Sequence, residues 1–560
     1  MAKEQSPPLG VVTSGSLTDG LEMRLAPNQS VETIRAGKFV VIEGNENQFF
    51  CMITDVRLDA SSSDILRDPP QQQSLLAAAL AGDHTYATVS LKPMLMLPIN
   101  PEKSLNREDA LLPVKSIPSH FSHVREAAKD DIAQVFGKEE EQADRYFNLG
   151  EPIDMEQIDV CLDLNRLVER SNGIFGKTGT GKTFLTRLVL AGLIRSHKAV
   201  NLIFDMHSEY GWQTRSEGSG GADSFVKGLK NLFPGKVMIC TLDVESAQKR
   251  NVQFDHEVQI ALSEIDVEDI APLQEELNLH ATAIETAYIL RNRYRHNWLR
   301  ELLDHDSAEL KEWADELGAN KESLAALYRK LQAIRNLPFV VEKRESLPEG
   351  ARSDRIGIRQ LIDLLKQGKH VDLEFGRVSN LLAYLLVANL ISRRIHKQWV
   401  KMAEDYMATQ EPSKRPRSLV ITIEEAHKFL NPAAARQTIF GVIARELRKY
   451  FVSLLIVDQR PSGIDDEILS QLGTRITALL NDERDISAVF TGVSGGSALR
   501  NVLASLDSKQ QALVLGHATP MPIVLKTREY GPDFYRAMGW QSEQEQQTNV
   551  VDITSQFPSS

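Results

Sequence analysis

Apolar residues recur along this chain in two rhythms. Over 10–98 they come in short runs bounded by turn residues. Lys38-Phe39-Val40-Val41-Ile42-Glu43, then Gly44-Asn45-Glu46-Asn47, then residues 49–56 predict a β-hairpin. Residues 86–91 and 94–97 predict further strands, which together suit a small barrel. From 159 onward the apolar runs are nearly continuous and alternate with helical spacing, as expected for strands buried on both faces of a parallel sheet. Candidate strands are 200–205, 237–240, 370–373, 419–423 and 453–457. Between 264 and 334 the spacing turns to long helices, notably 281–303 and 321–334.

These patterns divide the chain into a β-barrel at 1–110, a linker at 111–158, a first part of an α/β core at 159–255, a helical insertion at 256–350, a second core part at 351–540 and a tail at 541–560. The tail is rich in Gln, Ser and Thr and reads as a disordered arm.

Composition narrows the picture slightly. A hydrophobic fraction of 42% beside 25% charged residues describes an ordinary globular protein. The 3 cysteines, Cys51, Cys161 and Cys240, are far apart and lack metal-ligand spacing, which suits a reducing compartment and small core residues. The longest apolar stretch, 381–391, is too short to span a bilayer, and Met1-Ala2-Lys3-Glu4-Gln5 lacks a signal-peptide core. The expectation is a soluble cytoplasmic protein without a membrane partner. A net charge of −12 argues against a generally basic, DNA-coating surface, but is compatible with a basic lining inside a ring.

The chemistry is concentrated in Gly176-Lys177-Thr178-Gly179-Thr180-Gly181-Lys182-Thr183. This is the full G-x-x-x-x-G-K-[ST] phosphate loop, set between a short strand (173–175) and a helix (184–194). Its glycines let backbone N–H groups turn inward around the phosphates of ATP. Lys182 reaches the β- and γ-phosphates, and Thr183 offers a hydroxyl to Mg²⁺. Hydrolysis also needs acids at a neighbouring strand end, and Glu424-Glu425-Ala426-His427 follows an apolar run. In this reading Glu424 supports Mg²⁺ and Glu425 polarises the attacking water; His427 either couples the site to Gln459 or packs beside the strand. Asp205, with Glu209 after it, either joins the water or metal network or caps a turn. Gln459 stands where a neutral group senses the γ-phosphate. Arg445 and Arg448 are candidates for a guanidinium reaching the γ-phosphate of a neighbouring subunit, with Arg170 a third. Arg445 and Arg448 also suit a bland role at a helix end, and Arg170 stands just ahead of the strand that enters the loop.

Taken together, the phosphate loop, Asp205-Met206-His207-Ser208-Glu209-Tyr210, Glu424-Glu425-Ala426-His427, Arg445-Glu446-Leu447-Arg448-Lys449-Tyr450 and Asp458-Gln459-Arg460-Pro461-Ser462 resemble the HerA ATPases in order and spacing. The resemblance implies an α/β RecA-like P-loop NTPase core of the HerA/FtsK group, with a small N-terminal β-barrel and a helical insertion. It further implies a homohexamer with ATP sites between subunits, double-stranded DNA in a central channel, and a partner nuclease of the NurA type or another defence effector. By position it assigns phosphate and Mg²⁺ binding to Lys182 and Thr183, the catalytic acid to Glu425 and the trans finger to Arg445 or Arg448. Two residues depart from the pattern: Glu424 stands where Asp is commoner, and Leu447 where Gly is frequent. A ring scaffold that organises an effector without sustained translocation is the alternative, and a coupling ATPase for export is a third reading. Candidates for DNA contact are the Gly-rich stretch 211–221 with Arg215, and the cluster Arg291, Arg293, Arg295 and Arg300. The cluster also reads as a solvated helix face paired with neighbouring acids.

Overall fold

The computed structural model describes residues 8–62, 84–99, 110–215, 225–343, 354–436 except 379, 438–493, 496–507 and 510–540, with isolated positions at 65 and 67. The tail at 541–560 and most of the Gly-rich stretch 211–221 lie outside the described residues, as does the side chain of Arg215.

The N-terminal barrel is built from β1 (Gly10–Ser16), β2 (Gly20–Leu25), β3 (Phe39–Glu43), β4 (Asn47–Ala60), β5 (Thr85–Pro98) and β6 (His123–Glu126). Its strand order is β1-β2-β5-β4-β3-β6, and β6 closes it by pairing with both β1 and β3. The expected β3–β4 hairpin is present, with Glu43 opposite Gln48. The runs 86–91 and 94–97 belong to a single long strand, β5, rather than two. Strand alternation divides the β3 side chains between two cores. Val40 and Ile42 fill the barrel, while Phe39 and Val41 face the α/β core, where Phe39 stacks on Phe50 at 5.8 Å.

The segment 111–158, read from sequence as a linker, contains ordered elements. Besides β6 it holds the helix Lys129–Phe136 and β7 (Tyr146–Pro152). With β8 (Val160–Asp163), β7 forms one end of the main sheet, so that sheet begins before residue 159. The charge-rich surface of this stretch hid its buried residues, among them Val124, Ile132, Val135, Phe136, Phe147 and Leu149.

The remaining strands are β9 (Asn172–Phe175), β10 (Val200–Asp205), the ribbon β11 (Thr214–Arg215) and β12 (Phe225–Val226), β13 (Val237–Thr241), β14 (His256–Val258), the pair β15 (Ile260–Ala261) and β16 (Val340–Val341), β17 (Arg355–Ile356), β18 (His370–Glu374), β19 (Leu419–Glu424), β20 (Val452–Asp458), β21 (Thr474–Thr477), β22 (Gln511–Gly516) and β23 (Ile523–Thr527). The main sheet runs β17-β14-β13-β18-β10-β19-β20-β9-β21-β22-β23-β7-β8. It is parallel from β17 to β21 and antiparallel thereafter. Every run expected to form a core strand does so, and β10, β18, β19 and β20 are buried along their whole length. The phosphate loop leaves β9 at the centre of the sheet, flanked by β20 and β21.

The insertion is helical, but 281–303 is two helices, Ala281–Tyr294 and Trp298–Asp304, joined by the 3₁₀ turn Arg295–Asn297. Arg295 there has φ +54°. With Lys321–Arg335 and the long helix Leu381–Thr409, these helices share one apolar core, anchored by Trp298, whose indole N–H donates to the Ile265 carbonyl at 3.0 Å. Among the described residues no helix is long and apolar enough to cross a membrane.

Candidate functional site

The loop 176–183 has the backbone its glycines imply. Gly179 and Gly181 have φ of +80° and +92°, and a Cβ on either would meet nothing within 4 Å, so conformation rather than crowding demands glycine there. Gly181 caps the helix Lys182–Ser196, whose N–H groups then open toward the loop. The loop is tied to the sheet by Gly176 N donating to the Asp458 carbonyl and Lys177 N to that of Leu479. Lys182 is near enough to Glu424 for its charge to oppose protonation of that acid.

Three strand ends supply the acids. At the end of β10, the Asp205 carboxylate accepts the backbone N–H groups of Glu209 and Tyr210, both at 2.9 Å. It is fully buried and holds a turn, as the capping reading expects. Glu209, carried on that turn, receives the Thr183 hydroxyl at 2.8 Å and so lies closest to the hydroxyl assigned to Mg²⁺. Arg187, buried in the helix after the loop, donates to the Glu209 carbonyl through Nε at 2.9 Å and again through Nη2, and to Thr214 Oγ1 at 3.1 Å.

Glu424 ends β19. Tyr210 Oη donates to its Oε1 at 2.7 Å, while Tyr384 Oη donates to its carbonyl at 3.0 Å and accepts its N–H at 3.1 Å. Burial, reinforced by the neighbouring Asp205 charge, pushes the Glu424 carboxyl up to about 8. Its Oε2 is buried without a hydrogen-bond partner among the described residues, which leaves an oxygen for a divalent cation or the cation's water. These donors fit Mg²⁺.

Glu425 has φ +48°, a left-handed conformation uncommon outside glycine and typical of strained site residues. That turn separates its side chain from that of Glu424. Gln459 Nε2 donates to Glu425 Oε1 at 2.9 Å, and Gln459 Oε1 accepts the Thr178 hydroxyl at 2.6 Å. A carboxylate only accepts, so the amide must present its NH₂ to Glu425 and its oxygen to the loop. One side chain thus bridges the phosphate loop and the proposed catalytic acid. His427 packs under this bridge, with its N–H and Nδ1 on Asp458 (2.7 and 3.0 Å) and Nδ1 3.7 Å from Glu425 Oε2. The Asp458 hydrogen bond raises the imidazole above its ordinary value. His427 thus lies beside both Glu425 and Asp458, the residues on either side of the Gln459 bridge.

The arginines are less gathered. Arg445, near the end of the helix Ile439–Glu446, lies with Nε 3.3 Å from Glu467 of its own subunit. Arg448 falls in the 3₁₀ turn Leu447–Tyr450, and its side chain lies outside the described residues. Arg170 packs on Gly473. The basic cluster of the insertion pairs locally, Arg291 with Asp266 at 3.1 Å, Arg300 with Asp304 at 3.4 Å and Arg293 with the Glu316 carbonyl at 3.4 Å, the solvated-face alternative. Sequence reasoning gave no role to Arg187, Tyr210, Tyr384 or Asp458. The signal for Arg187 was available: an arginine set in the mostly apolar run 184–194 of a buried helix must be paired.

A glycine-built phosphate loop at the centre of a parallel sheet, with acids on the neighbouring strand ends, defines a P-loop ATPase with a RecA-like α/β core, here carrying an N-terminal barrel and a helical insertion. Residues 147–395 match the family described as "Helicase HerA, central domain", and residues 9–107 match "HAS barrel domain". The DNA double-strand break repair helicase HerA of Sulfolobus acidocaldarius is 23% identical over 543 residues, covering 93% of this chain and 95% of the relative. That of Pyrococcus furiosus is 23% identical over 475 residues, 78% and 80% of the two chains. Among solved structures, the bacterial conjugative coupling protein TrwBdeltaN70 is similar at a TM-score of 0.45 and 11% identity, over 72% of this chain and 92% of that one. The chain belongs to the HerA helicase family.

Proposed function

We propose that this ATPase is a hexameric motor that hydrolyses ATP to translocate along double-stranded DNA, in the service of a partner nuclease of the NurA type or another effector in DNA end processing or defence. The observation that carries the reading is the Thr178–Gln459–Glu425 bridge, because it links the loop that holds phosphate to the acid that activates water. The similarity to DNA repair helicases over most of the chain supports DNA as the track.

In this reading residues 176–183 cradle the triphosphate, with Gly176, Lys177, Thr178, Gly179, Thr180 and Gly181 supplying the backbone turn and Lys182 neutralising the β- and γ-phosphates. Thr183 and Glu424 hold Mg²⁺, and Glu209 stands beside them. Bound there, Mg²⁺ would supply positive charge that offsets the negative charge of the phosphates. Glu425 accepts the proton of the attacking water, Gln459 positions Glu425 against the γ-phosphate, and Asp205 acts indirectly by fixing the turn that carries Glu209. Arg445 or Arg448 reaches the neighbouring subunit's γ-phosphate, Arg445 after leaving Glu467.

The test uses the full chain with long duplex DNA. Hydrolysis should rise with duplex length, and a triplex-forming strand should be displaced only with hydrolysable ATP. Glu425→Gln should bind ATP yet lose turnover, whereas Lys182→Ala should lose binding. Arg445→Ala subunits mixed with Lys182→Ala subunits should partly recover activity if that arginine acts across an interface. Hydrolysis indifferent to DNA, with an effector still dependent on the ring, would instead make the protein a scaffold.

A further inference from the structure

Behind the nucleotide site Asp205 meets two further acids, Asp372 and Glu374, that the proposed hydrolysis does not use. β10 and β18 are parallel neighbours with Asp205 beside Glu374 and Ile203 beside Asp372. Because side chains alternate along a strand, this register puts Asp205, Asp372 and Glu374 on one face of the sheet. One carboxylate oxygen from each lies within 4.8 Å of the other two, and all three residues are fully buried.

Their partners are unequally supplied. Asp205 is satisfied by two backbone N–H groups. Glu374 Oε2 accepts from Arg250 Nη2 at 2.7 Å, but its Oε1 has no partner. Among the described residues neither oxygen of Asp372 has one. Gly211 roofs the group so closely that a Cβ there would lie 2.0 Å from Asp372 Oδ2. An ionised carboxylate buried without donors is among the costliest arrangements in a protein, so something must neutralise Asp372. Arg250 pairs with Glu374, and Arg187 acts on Asp205 and Asp372 only through space, so the three carboxylates keep an excess of negative charge that a divalent cation would offset. The donors are all hard carboxylate oxygens, with no imidazole or thiolate among the three residues, a set that favours Mg²⁺ or Mn²⁺ over zinc or copper.

We propose that Asp205, Asp372 and Glu374 form a second divalent-cation site, separate from the Mg²⁺ that accompanies the nucleotide. The two are joined through one turn: the Asp205 carboxylate fixes the backbone of Glu209, and the Glu209 side chain receives Thr183. The inner cation is structural. It holds the strand ends together and sets the turn that presents Glu209 to the phosphate loop.

The experiment is titration of the full-length, chelator-stripped and nucleotide-free protein with Mn²⁺, following free Mn²⁺ by electron paramagnetic resonance and melting temperature in parallel. About one Mn²⁺ per chain should bind in the wild type and in Thr183→Ala, with a rise in melting temperature in both. In Asp372→Asn and in Glu374→Gln the affinity should fall at least tenfold, the usual scale for losing a metal-site group, and the rise should disappear. Should Asp372→Asn fail to fold, Glu374→Gln and the wild-type titration still decide. Absence of Mn²⁺ uptake by the wild type would overturn the proposal and leave a proton shared among the carboxyls. Uptake that survives both acid substitutions, or that vanishes in Thr183→Ala, would overturn it equally.

Discussion

Replacing Glu424 by Gln should make the nucleotide-free protein more stable at alkaline pH while removing its hydrolysis. The carboxyl is buried and titrates near 8, against an ordinary 4.5. The folded state therefore binds a proton more tightly than the unfolded one, so this group's stabilising contribution is complete below about 4.5 and is lost as pH rises toward 8. At about 1.4 kcal/mol per tenfold difference, the gap caps the loss at about 5 kcal/mol. The amide keeps an oxygen for the Tyr210 hydroxyl and carries no charge, so it escapes this loss. Melting temperatures of wild type and Glu424→Gln, measured in chelator between pH 5 and 9, should coincide near the acid end and diverge by several degrees above pH 8, with the variant higher. Comparison against wild type cancels the titration of every group outside the Glu424 neighbourhood. A difference that stays flat across the range, or a wild type that melts higher at pH 9, would refute the reasoning. With nucleotide and Mg²⁺ present the same variant should hydrolyse ATP at least about 100-fold more slowly, because a charged cation support has been removed.

Three further outcomes follow from the geometry. Gln459→Leu keeps the bulk but cuts both hydrogen bonds of the bridge, so ATP binding should persist while turnover falls by about 10- to 1,000-fold, read by separate nucleotide-binding and single-turnover measurements. Gly181→Ala meets no atom within 4 Å, so its cost is the left-handed backbone alone, about 1–2 kcal/mol, visible as a small melting shift with weakened nucleotide affinity. Arg187→Met retains the packing between Phe184 and Tyr530 but strips the Glu209 carbonyl of its donors, and should destabilise the protein by about 2–4 kcal/mol in chemical denaturation.

The parallel strands were readable because burial on both faces leaves them as nearly continuous apolar runs, as in Leu419-Val420-Ile421-Thr422-Ile423. The phosphate loop was readable because its backbone conformation leaves little choice of residue. Less accessible were features decided by tertiary contact. Tyr384 looks like one more member of the apolar stripe of its helix, yet its hydroxyl clasps the backbone of Glu424 from both sides. Asp372 sits between Val371 and Leu373, where an acid contradicts the strand's apolar character, and that contradiction was the available mark of the inner cluster. The role of Asp205 could not be fixed without the turn it holds. His123-Val124-Arg125-Glu126 shows no strand signal because only Val124 is apolar, and the register with β1 and β3 decides its place.

That short strand has a practical consequence for dissecting the protein. β6 is the last barrel strand in the chain, and it lies between β1 and β3, the two strands that would otherwise form open edges. A fragment cut at residue 110 would keep most of the barrel's apolar filling but present both edges with unpaired N–H and carbonyl groups. Such edges pair readily with other copies. Fragments for binding studies should therefore run beyond Glu126 and through the helix Lys129–Phe136, which covers Phe39. Partner capture by a shorter piece would report exposed strand edges as much as any native surface.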